Sequence, residues 1–180
     1  MSDTRLEEIL AIDSNAPRFL SEPITKYKKN EDGSWSKQNI TTDECYYVNL
    51  ATRVIAAPDC LSVEKDHRAE NIYFKVDRFY NQLDLATMDC IIQYENAGGS
   101  QSVYCVPGYE LRQIWNDDRT IKENYLLFAW PISGLVTKKA GKVKFSMMFY
   151  RLRKNYDGAG ELTSIEFDYK LNTKTSISSI

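Results

Sequence analysis

Residues 142–152 (KVKFSMMFYRL) and 162–171 (LTSIEFDYKL) decide the fold class. Both stretches alternate apolar with polar side chains, which is the two-residue period of a half-buried strand. The apolar positions are Val143, Phe145, Met147 and Phe149 in the first stretch and Ile165, Phe167, Tyr169 and Leu171 in the second. Asp157-Gly158-Ala159-Gly160 lies between them and predicts a turn. The two stretches therefore predict a β-hairpin.

Similar patterns recur along the chain and predict further strands. These cover residues 46–57, 71–77, 88–95, 101–107 and 125–132. The turn at Gly98-Gly99 joins two of them in a second hairpin. Seven strands with short connections are typical of an antiparallel sandwich or barrel, and we expect a β-sandwich of the jelly-roll or immunoglobulin-like type. An α/β fold is disfavoured, because its central parallel strands are continuous apolar runs.

The first 44 residues differ in character from the rest. Thr4 and Glu7 match a helix capping box, and Leu6, Ile9 and Leu10 fall on one face of a short helix over residues 4–12. Residues 13–44 are polar and predict a loop or extended arm. We therefore divide the chain into a helix and arm over 1–44 and a β-sandwich domain over 45–180. The apolar helix face predicts an interface with the chain's own domain or with a neighbouring chain.

Length and charge restrict the partners. The chain has 180 residues, with 23 Lys and Arg against 25 Asp and Glu. A chain of this size buries roughly 70% of its surface on folding, so it needs no disulfide or metal to form a core. A net charge of −2 predicts no binding to nucleic acid or to an anionic membrane. The longest uncharged stretch near the middle, residues 125–137, is too short to span a membrane, and residues 1–8 do not show the pattern of a secretory signal.

The four cysteines form no C-x-x-C pair, so zinc and thioredoxin motifs are not indicated. If the hairpin turn is centred between residues 97 and 98, Cys90 stands directly opposite Cys105. Two facing reduced thiols are the first interpretation, because cytosolic proteins keep thiols reduced. A cross-strand disulfide is the alternative.

No constellation of residues indicates catalysis. The single histidine, His67, lies in Asp66-His67-Arg68 without a nucleophile motif, and Asp117-Asp118 predicts a turn. No glycine-rich loop precedes a helix in the pattern that binds phosphate. We expect a protein that is not an enzyme and that has no catalytic, cofactor-binding or metal-binding residues.

Aromatic side chains are abundant, with 12 Tyr, 7 Phe and 3 Trp. Such rings serve as core, as a sugar-stacking platform or as a protein interface. The candidates for the last two roles are Trp35, Tyr46, Tyr47, Tyr73, Phe79, Tyr80 and Trp115.

An ordered series of segments resembles a known viral module. The series comprises residues 50–55 (LATRVI), 66–78 (DHRAENIYFKVDR), 84–87 (DLAT), 92–97 (IQYENA), 130–132 (WPI), 140–146 (AGKVKFS) and 169–173 (YKLNT). It is similar to the β-sandwich module of tailed-bacteriophage virion structural proteins, of the baseplate-upper-protein or tail-fibre or head-fibre type.

The resemblance implies a structural, non-enzymatic component of the virion, assembled in the host cytoplasm. Its expected partners are other virion proteins and further copies of itself, and no cofactor is expected. On this view the chain is an adaptor, attachment or decoration module of a tail, baseplate, collar or head fibre. Leu6, Ile9 and Leu10 are then expected to dock on a neighbouring subunit. The alternative is a carbohydrate-binding module that recognises a glycan of the host cell envelope.

Overall fold

The computed structural model describes residues 16–59, 61, 71–132 and 140–179. This part of the chain is mostly β, as predicted, with two short 3-10 helices at Thr42–Glu44 and Leu85–Thr87. The strands are β1 (Thr25–Lys29), β2 (Trp35–Asn39), β3 (Tyr46–Asn49), β4 (Val54–Ile55), β5 (Asn71–Asp77), β6 (Phe79–Tyr80), β7 (Leu83–Asp84), β8 (Asp89–Glu95), β9 (Gln101–Cys105), β10 (Glu110–Trp115), β11 (Lys122–Pro131), β12 (Lys142–Tyr156), β13 (Leu162–Asn172) and β14 (Ser176–Ser179). The helix predicted over residues 4–12 lies outside the described residues.

Two five-stranded sheets contain most of these strands. Sheet A has the order β10-β11-β5-β3-β4, and sheet B has the order β13-β12-β8-β9 with β14 also paired to β12. The strand pairs are antiparallel, as the sequence predicted, with the exception of β3, which pairs with β5 in parallel. The parallel pair is possible because the long segment between β3 and β5 returns the chain to the same end of the sheet.

The two sheets bury their inner faces against each other. The ring of Trp130 in sheet A lies 5.0 Å from that of Phe145 and 5.4 Å from that of Tyr94, both in sheet B. Phe128 of sheet A meets Phe149 of sheet B edge to face at 6.3 Å. These rings belong to one continuous hydrophobic core, so a sandwich arrangement fits the packing.

The arm over residues 16–44, for which the sequence predicts a loop or extended segment, contains a β-hairpin. Strands β1 and β2 pair from Thr25–Asn39 to Lys29–Trp35. The arm packs on the outer side of sheet A, where Ile40 is fully buried against Leu127. Its backbone is bonded to β10, because Ile24 N donates to Glu110 Oε1 at 2.7 Å and Arg112 Nη1 donates to the carbonyl of Ile40 at 2.9 Å.

Three hairpin turns share one geometry. In the turn from Asn96 to Ser100, Asn96 N donates to the carbonyl of Ser100 at 2.9 Å, and Gly99 N donates to the carbonyl of Asn96 at 3.0 Å. Gly99 has a φ of +87°, which favours glycine. The same two bonds and the same positive φ recur in the turns over residues 30–34 and 157–161. These are three-residue loops with a glycine bulge.

The length of this turn corrects the predicted pairing of two cysteines. The hairpin is centred on residue 98, so Ile91 and not Cys90 stands opposite Cys105. A shift of one residue moves a side chain to the other face of the sheet. Cys90 is therefore buried in the core, whereas Cys105 is exposed, and both are free thiols. The two thiols do not face each other, so both versions of the predicted contact were wrong.

Candidate docking surface

A two-stranded ribbon extends from sheet B. Strand β12 pairs with β8 only from Lys144 to Tyr150, but it pairs with β13 as far as Tyr156. Beyond Tyr150, strands β12 and β13 therefore pair only with each other among the described strands. We call this part, residues 151–156 of β12 and 162–168 of β13, the ribbon. Six residues of β12 add about 20 Å beyond the end of β8.

One face of the ribbon is charged, and its charged side chains form ion pairs with one another across the two strands. Arg151 and Arg153 lie on this face, and their guanidinium groups contact Asp168 and Glu166 at 2.8 Å each. Asn155 Nδ2 then donates to Ser164 Oγ at 2.9 Å. The pairs are between neighbouring strands, so they stabilise the ribbon itself.

The other face of the ribbon is exposed and, except for Lys154, apolar. We call it the ribbon face, and it consists of Leu152 (41% exposed), Tyr156 (38%), Leu162 (50%), Ile165 (52%) and Phe167 (50%). The register pairs Leu152 with Phe167 and Tyr156 with Leu162, so these residues lie side by side. A contiguous exposed apolar patch is typical of an interaction site, and an isolated two-stranded hairpin is marginally stable in water.

A bulge in β13 produces this face. Arg151 pairs with Tyr169, whereas the next residue, Leu152, pairs with Phe167, so Asp168 is the extra residue. Since adjacent residues of β12 point to opposite faces, Tyr169 and Phe167 also do. Tyr169 packs against the core, whereas Phe167 meets Tyr150 edge to face at 5.8 Å. The predicted strand was correct, but its apolar residues divide between the two sides of the sheet.

The apolar surface continues from the ribbon across the outer side of sheet B. The register places Met148 beside Ile91, and Ile91 beside Cys105 in β9. Val103, half exposed, lies further along the same side of β9. Towards the other end of this outer side is a groove of about 500 Å³ with a polar lining of Gln93, Glu95, Gln101, Lys144 and Ser146.

Two lysines, one in β12 and one in β13, lie on the same side as the ribbon face. Lys154 pairs with Ile165 and Lys170 pairs with Tyr150, so both lysines lie on the outer side. The ammonium group of Lys170 is 5.0 Å from the ring centroid of Phe167. At the other end of the face Asp89 is paired with Arg18 at 2.8 Å, and at the tip of the ribbon Asp157 follows Tyr156 and Glu161 precedes Leu162. Burial and, secondarily, the charge of Asp89 raise the pKa of Tyr150, so its hydroxyl stays protonated and polar at the margin of the face.

The residues singled out from the sequence do not meet at one place. Leu6, Ile9 and Leu10, predicted as an interface, lie outside the described residues, as do Asp66, His67 and Arg68. Asp117 and Asp118 form part of the turn between β10 and β11, as predicted, and the pKa of Asp118 is lowered by hydrogen bonds from Thr120.

The aromatic candidates are distributed over several elements. Trp35 lies on the arm hairpin, and Trp115 lies at the end of β10 with the ammonium group of Lys122 over its ring at 5.7 Å. Tyr47 donates from its hydroxyl to Asp77 Oδ2 at 2.7 Å. Phe79 stacks against the guanidinium group of Arg78. The exposed indoles are therefore on different hairpins of the molecule.

The remaining chemistry of the described residues is sparse. Within them, no group of three or more His, Cys, Asp or Glu side chains is placed to hold a metal ion. In the same residues, no helix is long and apolar enough to cross a membrane. No family model matches the chain, and no curated protein and no solved structure matches it.

Proposed function

We propose that this chain is a non-enzymatic structural protein of a bacteriophage virion, which docks on neighbouring virion subunits through the ribbon face. It would act as an adaptor, attachment or decoration module of a tail, baseplate, collar or head fibre. The observation that carries the docking role is the row of five apolar side chains on a ribbon that no other described element covers. The particle and the fold family, a β-sandwich of jelly-roll or immunoglobulin-like type, are proposed from the sequence resemblance.

The exposed apolar area of Phe167 gives the expected loss of docking affinity when this side chain is removed. A phenylalanine side chain has about 200 Å² of apolar surface, and Phe167 leaves half of it exposed. Covering about 100 Å² at about 25 cal/mol per Å² stabilises a docked state by about 2.5 kcal/mol. A Phe167→Ser substitution is therefore expected to weaken docking by about 60-fold, since each 1.4 kcal/mol is a factor of ten.

The experiment follows incorporation of the full chain into particles. Phe167→Ser and Ile165→Ser should each lower the amount of protein in purified virions. Ile121→Ser is the matched control, because Ile121 is a 64% exposed apolar residue in the turn of the opposite sheet. Thermal unfolding of each variant confirms that the fold is retained. Normal incorporation of both ribbon variants would contradict docking through this face.

The packing of the arm determines which N-terminal residues can be removed without damaging the fold. Ile40 is fully buried, so removing residues 1–44 would open the cluster around Leu127 and confuse assembly with folding. Removing residues 1–15 leaves every described contact in place. It therefore tests the predicted docking role of Leu6, Ile9 and Leu10, and unchanged incorporation would count against that role.

A second candidate function is a carbohydrate-binding module for a glycan of the host envelope. Its support is that Trp35 and Trp115 expose more than half of their surface. Glycan binding by the full chain that is lost with Trp35→Ala or Trp115→Ala would favour it. A glycan array without signal would contradict it.

A further inference from the structure

The first described residues anchor the chain beside the outer side of sheet B. Arg18 Nε donates to Asp89 Oδ1 at 2.8 Å, and Asp89 stands opposite Tyr150 in the register of β8 and β12. Arg18 Nη1 donates to the carbonyl of Ala16 at 2.8 Å. The backbone of Arg18 is also fixed, because its N–H donates to the carbonyl of Ala86 and its own carbonyl accepts from Tyr109 N. Residues 1–15 therefore leave the described part of the chain next to this surface.

The distance to the ribbon face is short. From Asp89 across β12 to Lys170 is two strand spacings, or about 10 Å. The ribbon adds about 20 Å along β12. Fifteen residues span up to about 50 Å when extended, so residues 1–15 can reach all of the ribbon face.

The composition of residues 1–15 complements that face. Leu6, Ile9, Leu10 and Ile12 supply apolar side chains. The segment has four acids and one arginine, at Asp3, Glu7, Glu8, Asp13 and Arg5. Lys154 lies among the apolar side chains of the ribbon face, and Lys170 lies at its margin.

We propose that residues 1–15 occupy the ribbon face of their own chain. The short connection through Ala16 gives the segment a high effective concentration at the face, which favours this occupant over a second molecule. Docking on a neighbouring subunit then requires displacement of the segment. The inference goes beyond the proposed function, because it concerns the isolated chain and does not depend on a virion.

Photo-cross-linking in the full chain tests the contact directly. Benzoylphenylalanine is placed at position 167 and, as the matched control, at the equally exposed position 115 of the other sheet. Mass spectrometry of the products should find a cross-link from position 167 into residues 1–15, at a yield at least about tenfold above that from position 115 and unchanged over about a hundredfold range of protein concentration. The yield should fall with added salt, because salt screens the attraction between the acids of the segment and the exposed ammonium group of Lys170.

Two segment variants separate specific packing from proximity. The double variant Leu6→Asp and Ile9→Asp should lower the yield by at least about tenfold, whereas two added acids at Ser2→Asp and Ser14→Asp should leave it high. Cross-links elsewhere in the same chain, cross-links between copies that rise with concentration, or no cross-link would each overturn the proposal. The last two outcomes would assign the face to a second copy or to another partner, and they would leave the particle assay of the proposed function unaffected.

Discussion

The turn between β12 and β13 offers a stability test in which two neighbouring glycines should respond with opposite sign. Gly160 has a φ of +82°, whereas Gly158 does not have a positive φ in this range. A Cβ atom added at either residue meets no heavy atom within 4 Å. Steric contact therefore contributes nothing, and the effect of alanine depends on backbone conformation alone.

The expected magnitudes follow from that difference. Alanine in place of glycine lowers the entropy of the unfolded chain, which stabilises the protein by about 0.4–1 kcal/mol at either position. At Gly160 a left-handed alanine costs about 1–2 kcal/mol in the folded state. Gly158→Ala should therefore raise the free energy of unfolding, and Gly160→Ala should lower it. The unfolded-state contribution cancels between the two variants, so their difference should be about 1–2 kcal/mol.

Urea unfolding of the two variants, followed by circular dichroism, measures this difference. Each variant should keep the m-value of the natural chain, because the area exposed on unfolding is unchanged. Gly33→Ala serves as a replicate, since Gly33 has a φ of +86° and open space around its Cα. Equal stability of the Gly158 and Gly160 variants, or the reverse order, would refute the assigned turn geometry.

Three further predictions address other parts of the chain. Gln82 has a φ of +65° in the two-residue turn between β6 and β7, so Gln82→Gly should stabilise the protein by about 0.5–1 kcal/mol in urea unfolding. Phe145→Ala should cost about 3–5 kcal/mol, and Phe167→Ala no more than about half as much, because Phe145 is 1% exposed and Phe167 is 50% exposed. Burial raises the pKa of Cys90, and that of Cys45 to about 11. Their contribution to stability is complete below the unfolded value of 9.0 and is lost as the pH rises towards 11, so the urea midpoint should fall across that window.

The sequence predicted the strands well where apolar and polar residues alternate, because that period depends only on one buried and one exposed face. It missed β1 and β2, since residues such as Lys28 and Lys37 face solvent on a hairpin that covers little apolar surface. Their strand structure comes from mutual hydrogen bonds and from the anchor of Ile24 to Glu110, which joins residues 86 positions apart. A contact at that separation leaves no local pattern.

Strand register is the second feature that could not be predicted from the sequence, and it determines which side chains form the ribbon face. The turn after Asn96 contains one residue more than the sequence predicts, so Cys105 lies on the outer side of sheet B and not in the core. A bulge at Asp168 moved Ile165 and Phe167 to the same side, although their spacing from Leu171 predicted one common face. A single inserted residue reverses the side chains beyond it, here as far as the second shift at Thr163, and the alternation in the sequence does not mark where the insertion lies. For this reason the alternation of apolar and polar residues in the sequence did not reveal the ribbon face.

The same bulges favour one mode of docking over another. Strand β13 is the edge of sheet B, and an exposed edge ordinarily invites a further strand. Its register against β12 shifts at Asp168 and again at Thr163, so its outward backbone groups do not form one regular row. Bulges of this kind protect an edge from strand addition. At the β13 edge a partner is therefore expected to pack on the side chains of Phe167 and its neighbours, so a variant such as Phe167→Ser should weaken docking more than a proline in β13 would.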